Sequence, residues 1–265
     1  MAPMEPGHAQ IDLLAARALL EWQMELGADE PILDAPLNRY DVAAEAPKPA
    51  ADAAPVVPLE AEAVDPVAVA RAAAEAAGDL ETLAEVQSAY DHCELKKGAR
   101  NFVFADGNPS ARVLILGEAP GRDEDLEGRP FVGRAGQLLD RMFAAIGLAR
   151  TAHHANEALY ITNVMPWRPP QNRDPEPAEI AMMLPFVMRH IELVNPDMIV
   201  LMGNTSCAAA LGKRGILRLR GNWSEAFGKP AMPMTHPAYL LRNPAAKREA
   251  WADLLEIKAR LGELS

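Results

Sequence analysis

The 265-residue chain contains only two cysteines, Cys93 and Cys207. That scarcity excludes a disulfide framework, a four-cysteine zinc site and a four-cysteine iron–sulfur site. No uninterrupted apolar run approaches the roughly 18 residues that a membrane span requires. Met1–Gln10 lacks a basic stretch followed by an apolar one. No signal peptide is therefore expected, and the cytoplasm is the expected location. Glycine patterns of the GxGxxG and GxxxxGKS/T types are missing, which disfavours a generic nucleotide-binding protein. Basic residues are scarce at the start. Residues 1–89 hold 4 Lys+Arg against 17 Asp+Glu, whereas residues 90–265 hold 22 against 20. The net charge of −11 thus describes the N-terminal segment, and the acidic balance does not exclude nucleic acid from the rest.

What is present divides the chain in two. Ile11, Leu13, Leu14, Ala18, Leu19, Trp22 and Leu26 recur near helical spacing and predict a helix over 9–27. Residues 42–68 are rich in Ala, Pro and acidic residues, and such a composition predicts a linker or a surface-draped arm. Residues 66–90 are expected to be helical, with Leu80, Leu83 and Val86 on one face. Residues 1–80 are therefore read as an N-terminal helix and linker, and residues 81–265 as the main folded domain. From residue 110, strand-type runs (Val113–Leu116, Tyr160–Thr162, Met198–Met202, Met232–Met234) alternate with helical stretches near 134–147, 176–194, 204–212 and 245–262. That order predicts an α/β fold: a three-layer α/β/α sandwich around a central, mainly parallel four-stranded sheet.

Each strand is followed by polar residues. Gly117-Glu118-Ala119-Pro120-Gly121 follows the first, Asn163 the second, Gly203-Asn204-Thr205-Ser206 the third and Thr235-His236-Pro237 the fourth. Ligands of open parallel sheets bind outside the carboxyl ends of the strands. Each signal alone is weak, since Gly/Pro loops and Asn at strand ends are usually turns. Together they bring a carboxylate, an amide, a helix N-terminus and an imidazole to one crevice.

The segments GEAPGRDEDLEGRPFVGRAGQLLD, YITNVMPWRPPQNRDPEPAE and THPAYLLRNP resemble the uracil-DNA glycosylase superfamily, most closely its family-four branch. The resemblance runs from about Tyr90 to the C-terminus and leaves residues 1–80 uncovered. It implies removal of uracil from DNA, with uracil-containing DNA as partner, no membrane, and a monomer. Family-four enzymes usually hold an iron–sulfur cluster on four cysteines. Here the matching positions read Tyr90, Cys93, Trp167 and Met183. The cluster is expected to be absent, with no other cofactor or metal, and the large replacements are expected to fill its volume. A further branch, which traps its product through a histidine, carries a basic insertion that Met165–Pro177 lacks.

An enzyme of this kind must extrude its nucleotide into a pocket. The resemblance makes Phe131 the stacking face for uracil and Asn163 the reader of N3–H and O4. Gly117 and Ala119 complete the base pocket. His236 would face the leaving base as negative charge develops on it. Glu118 is the preferred carboxylate for water or sugar, with Glu124 alternatively shaping the pocket near uracil C5. Asp123, Asp125 and Glu127 are read as solvated loop charges. Gly203, Asn204, Thr205 and Ser206 open a helix suited to a phosphate, although ordinary N-capping accounts for the same residues. Leu240 or Leu241 is the expected minor-groove wedge, and Arg242, Arg214, Arg218 and Arg220 the expected phosphate contacts. A non-catalytic binder of DNA or abasic sites on the same fold is the competing reading. A pure binder has no need of Glu118, Asn163 and His236 together.

Overall fold

A computed structural model describes residues 64–264, together with Arg17 and Glu21. The helix expected over 9–27, apart from those two residues, and most of the linker expected over 42–68 lie outside the described residues. Ala61–Ser265 form one compact unit. Its elements are helices α1 (Pro66–Ala76), α2 (Leu80–Ala89) and α3 (Leu95–Gly98), strands β1 (Ala105–Gly107) and β2 (Val113–Gly117), helices α4 (Arg122–Glu127) and α5 (Arg134–Ala144), and β3 (Leu159–Asn163). There follow α6 (Pro177–Val194), β4 (Met198–Met202), α7 (Asn204–Leu211), α8 (Ile216–Leu219), β5 (Ser224–Ala226), β6 (Lys229–Met234), α9 (Pro237–Arg242) and α10 (Lys247–Glu263).

The sheet has six strands in the order β1-β3-β2-β4-β6-β5. The four strands expected from sequence are its parallel centre, β3-β2-β4-β6, and short antiparallel strands close both edges. Those edges escaped detection because three residues, Ala105–Gly107 or Ser224–Ala226, carry no readable alternation. The central strands are mainly apolar because both faces are covered. In β2, Val113 and Ile115 enter one core with α5, α9 and α10, while Leu114 and Leu116 enter the other with α1, α2 and α6. Successive strand side chains point to opposite faces, so one run of five residues serves both layers.

The helices start where the chain supplies caps. Asp65 Oδ1 accepts from Val67 N–H at 2.9 Å at the start of α1, and Asp79 Oδ1 from Thr82 N–H at 2.8 Å at the start of α2. The single helical stretch expected over 66–90 is thus two helices, separated at Ala77-Gly78-Asp79 because Asp79 caps a new start. Both pack on α6, so the boundary expected at residue 80 falls within one compact unit. At the start of α6, Glu179 reaches back to Glu176 N–H at 2.7 Å. α6 ends at Asn195, whose φ of 48° is left-handed.

All four parallel strands end on the same side. Gly117 is in register with Asn163, and Met202 with Met234. Asn163, Gly117, Gly203 and Thr235 therefore stand in a row along the carboxyl edge of the sheet.

Candidate active site

The row begins at Gly117, on which the Asn163 and Phe131 side chains both close. A Cβ on Gly117 would lie 2.2 Å from Asn163 Oδ1 and 2.5 Å from Phe131 Cε2. Only glycine lets both side chains close over the strand end. Asn163 is buried, and its Oδ1 has no hydrogen-bond partner. Phe131 is also buried, with a left-handed φ of 54° that a bulky residue adopts only when its surroundings enforce it. Its ring stacks on that of His236, centroids 5.4 Å apart and planes 28° from parallel.

His236 caps α9. Its Nδ1 accepts from Ala238 N–H at 3.1 Å, which leaves the proton of the neutral ring on Nε2. Burial, with Arg242 adding to it, lowers the imidazole pKa to about 4. The ring is therefore neutral at pH 7 and presents Nε2–H as a donor. Gly203, at φ 104°, passes close by, where a Cβ would sit 3.4 Å from His236 Cβ.

Glu118 follows β2. Burial raises its carboxyl above the ordinary carboxylate value, opposed by the Thr205 hydroxyl and Arg214. The Thr205 hydroxyl acts on Glu118 by proximity only, since its Oγ1 has no partner with hydrogen-bond geometry. Thr235 Oγ1 is likewise buried without a partner. An unsatisfied buried polar atom costs about 1–3 kcal/mol. Among the described residues, the three side-chain atoms in that state are Asn163 Oδ1, Thr205 Oγ1 and Thr235 Oγ1. Asn163 ends β3, Thr235 directly follows β6, and Thr205 stands in the first turn of the helix after β4, so the site is built to receive polar partners from outside.

Other expected site residues are placed differently. Glu124 Oε1 accepts from Val132 and Gly133 N–H, both at 3.0 Å, and its Oε2 from Gly121 N–H at 3.1 Å. Its carboxylate is thus a backbone clamp and not a free pocket wall. Ser206 is fully buried and donates to the Gly203 carbonyl at 3.1 Å. Asn204 Oδ1 accepts from Gly215 and Ile216 N–H at 3.0 and 2.9 Å. Both groups are engaged locally, which leaves Thr205 as the free hydroxyl of that turn. Leu240 is fully buried beside Leu138 and Leu254, because the HPAYLLR stretch is a short helix that turns it inward. Of the two wedge residues, Leu241 is the partly exposed one. Arg220 is bound to Asp253 and to the Glu249 carbonyl, whereas Arg218 and Arg242 are exposed. Arg214 is also exposed, 4.0 Å from Asp174. Asp125, expected as a solvated charge, is buried and accepts from Arg100 N–H at 2.8 Å. Ala119 is half-buried beyond Gly117. Arg150 holds the Phe131 loop, and no motif marks it in the sequence.

A model of the uracil DNA glycosylase superfamily matches residues 104–255. The chain belongs to that superfamily. A type-4 uracil-DNA glycosylase of Thermotoga maritima is 43% identical over 154 residues, which is 57% of this chain and 77% of the relative. Those of Archaeoglobus fulgidus and Saccharolobus solfataricus are 39% and 36% identical over 180 and 194 residues, covering 64% and 69% of this chain and 87% of each relative. The superfamily match spans β1 through the first half of α10 and contains every residue of the row described above.

Among the described residues, no group of three or more His, Cys, Asp or Glu is placed to hold a metal. Tyr90, Cys93, Trp167 and Met183, at the positions of the expected cluster ligands, are all buried in one core. The Tyr90 hydroxyl donates to the Pro66 carbonyl at 2.8 Å, and its ring meets Phe186 edge-on at 5.4 Å. Trp167 packs on Phe102 at 5.8 Å, and Gln87 Nε2 lies 3.9 Å from Met183 Sδ. One thiol, one thioether, one phenol and one indole do not fit an iron–sulfur cluster.

Proposed function

We propose that this chain removes uracil from DNA by hydrolysing the N-glycosidic bond of an extruded deoxyuridine, and leaves an abasic site without lyase chemistry. It acts as a cytoplasmic monomer and without an iron–sulfur cluster. The observation that carries this reading is the convergence of Phe131, Asn163, His236 and Glu118 on one sheet edge beside unpaired buried oxygens.

In this reading uracil stacks on Phe131. Asn163 Oδ1 accepts from N3–H, and its NH₂ group donates to O4. Breaking the C1′–N1 bond sends the electron pair into the base. His236 Nε2–H, kept neutral by its low pKa, meets a base oxygen as that charge develops and stabilises the transition state more than the ground state. The sugar becomes oxocarbenium-like, and Glu118 faces it. Its raised pKa suits it to take a proton from the water that adds to C1′. Thr205 and the exposed Arg214, Arg218 and Arg242 hold phosphates, and Leu241 enters the minor groove.

The experiment is incubation of the full chain with a labelled oligonucleotide bearing one uracil, followed by alkali. Scission only after alkali is the expected result. Binding without scission would favour a non-catalytic binder.

A further inference from the structure

We propose that Arg150 is the positioning residue of the Phe131 ring, acting with Glu124 as a two-ended clamp on the loop Pro130–Gly133. The inference rests on the reading of Phe131 as the stacking face. Arg150 lies between α5 and β3, and its side chain is only 11% exposed. Its Nη1 donates to the Pro130 carbonyl and its Nη2 to the Phe131 carbonyl, both at 2.9 Å. The rest of the fork is anchored. Nη1 also donates to Asp106 Oδ2 on β1 at 2.9 Å, and Nε donates to Asp140 Oδ1 on α5 at 2.9 Å. Two carboxylates thus fix the guanidinium, and the guanidinium fixes two successive carbonyls.

Glu124 takes the opposite poles of the same loop, the N–H groups of Val132 and Gly133. Gly136 completes the seat, since a Cβ there would lie 1.7 Å from the Phe131 carbonyl oxygen. A cation on the carbonyls, an anion on the amides and a bare glycine beneath hold Phe131 at its left-handed φ of 54°. That conformation directs the ring over Gly117 and toward His236. A ring held in advance loses little freedom when the base arrives.

Single-turnover excision by the full chain tests this as a cycle with Phe131→Ala. Arg150→Lys keeps the charge but loses the fork. Gly136→Ala pushes the same carbonyl from the other side. Each should slow excision about ten-fold or more in the native background, the scale of a small misplacement of a reacting group. In the Phe131→Ala background each should cost less than about two-fold, because the ring it positions is gone. Melting temperatures are followed in parallel, and if Arg150→Lys does not fold, Gly136→Ala decides. Equal slowing in both backgrounds would make Arg150 merely structural and overturn the inference while leaving the stacking role intact. Wild-type excision by Phe131→Ala would overturn the stacking role itself, and the inference with it.

Discussion

At the scale of single residues, the proposed chemistry divides His236 and Glu118 by protonation state. His236 Nδ1 is occupied by Ala238 N–H, so only Nε2–H is offered to a ligand. His236→Ala should slow cleavage about 10²–10³-fold, the loss of one oxyanion-type donor, while DNA binding changes little. Single-turnover rates beside a binding assay measure both. With a pKa of about 4, His236 stays neutral as pH falls from 8 to 5. Partial burial raises the Glu118 carboxyl above its ordinary value. The acid fall in rate should therefore follow Glu118 and begin above the value of about 4.3 for a free glutamate. Glu118→Gln should be slower and lack that fall. An unchanged acid limb in the variant would assign it to another group.

At the scale of elements, the contacts decide which polar residues are engaged in the fold and which stay exposed for the proposed contacts with DNA. Arg220, after α8, is bound to Asp253 of α10, a carboxylate that is 1% exposed. Arg220→Met should destabilise the protein by about 3 kcal/mol, because it strands a buried charge. The salt dependence of DNA binding should not move, since no phosphate contact is lost. Urea unfolding and a salt titration separate the two. His190 of α6, hydrogen-bonded to the Tyr160 hydroxyl at 2.8 Å, has its pKa lowered by burial to about 3. An unfolded histidine takes its proton near 6.5, so the unfolded chain binds protons first as pH drops. Stability should therefore fall between about pH 6.5 and 3 and be level in this respect above it. His190→Gln should show a shallower slope in melting temperature over that range. The strand ends were legible because four apolar runs each stop at a polar cluster. Leu240 was not, because His236 and Pro237 start a six-residue helix in a stretch that reads as a loop. Arg150 was not legible either. It contacts residues 19 and 20 positions away through backbone carbonyls, which leave no pattern in side-chain chemistry.

At the scale of the whole molecule, the parallel strands end along one edge, where the proposed site lies, and the core beneath α1, α2 and α6 is closed by side chains. Tyr90, Trp167 and Met183 are interlocked there with Phe102, Phe186 and Gln87. The purified chain should be colourless and iron-free, and its activity indifferent to chelators, as metal analysis and absorbance would show. Trp167→Ala should cost about 3–5 kcal/mol as a cavity in a packed core. The residues at the four expected ligand positions are legible in the sequence, whereas their packing in one core needed the fold. The central claim is that Asn163, fixed against Gly117 and Phe131, reads the base edge. It is tested most directly by single-turnover cleavage of matched oligonucleotides bearing uracil or cytosine, wild type against Asn163→Asp. The carboxylate repels uracil O4 and accepts from the cytosine amino group, and each mispaired buried group costs about 1–3 kcal/mol. Uracil excision should fall steeply and weak cytosine excision should appear. Full uracil activity in Asn163→Asp would contradict the account.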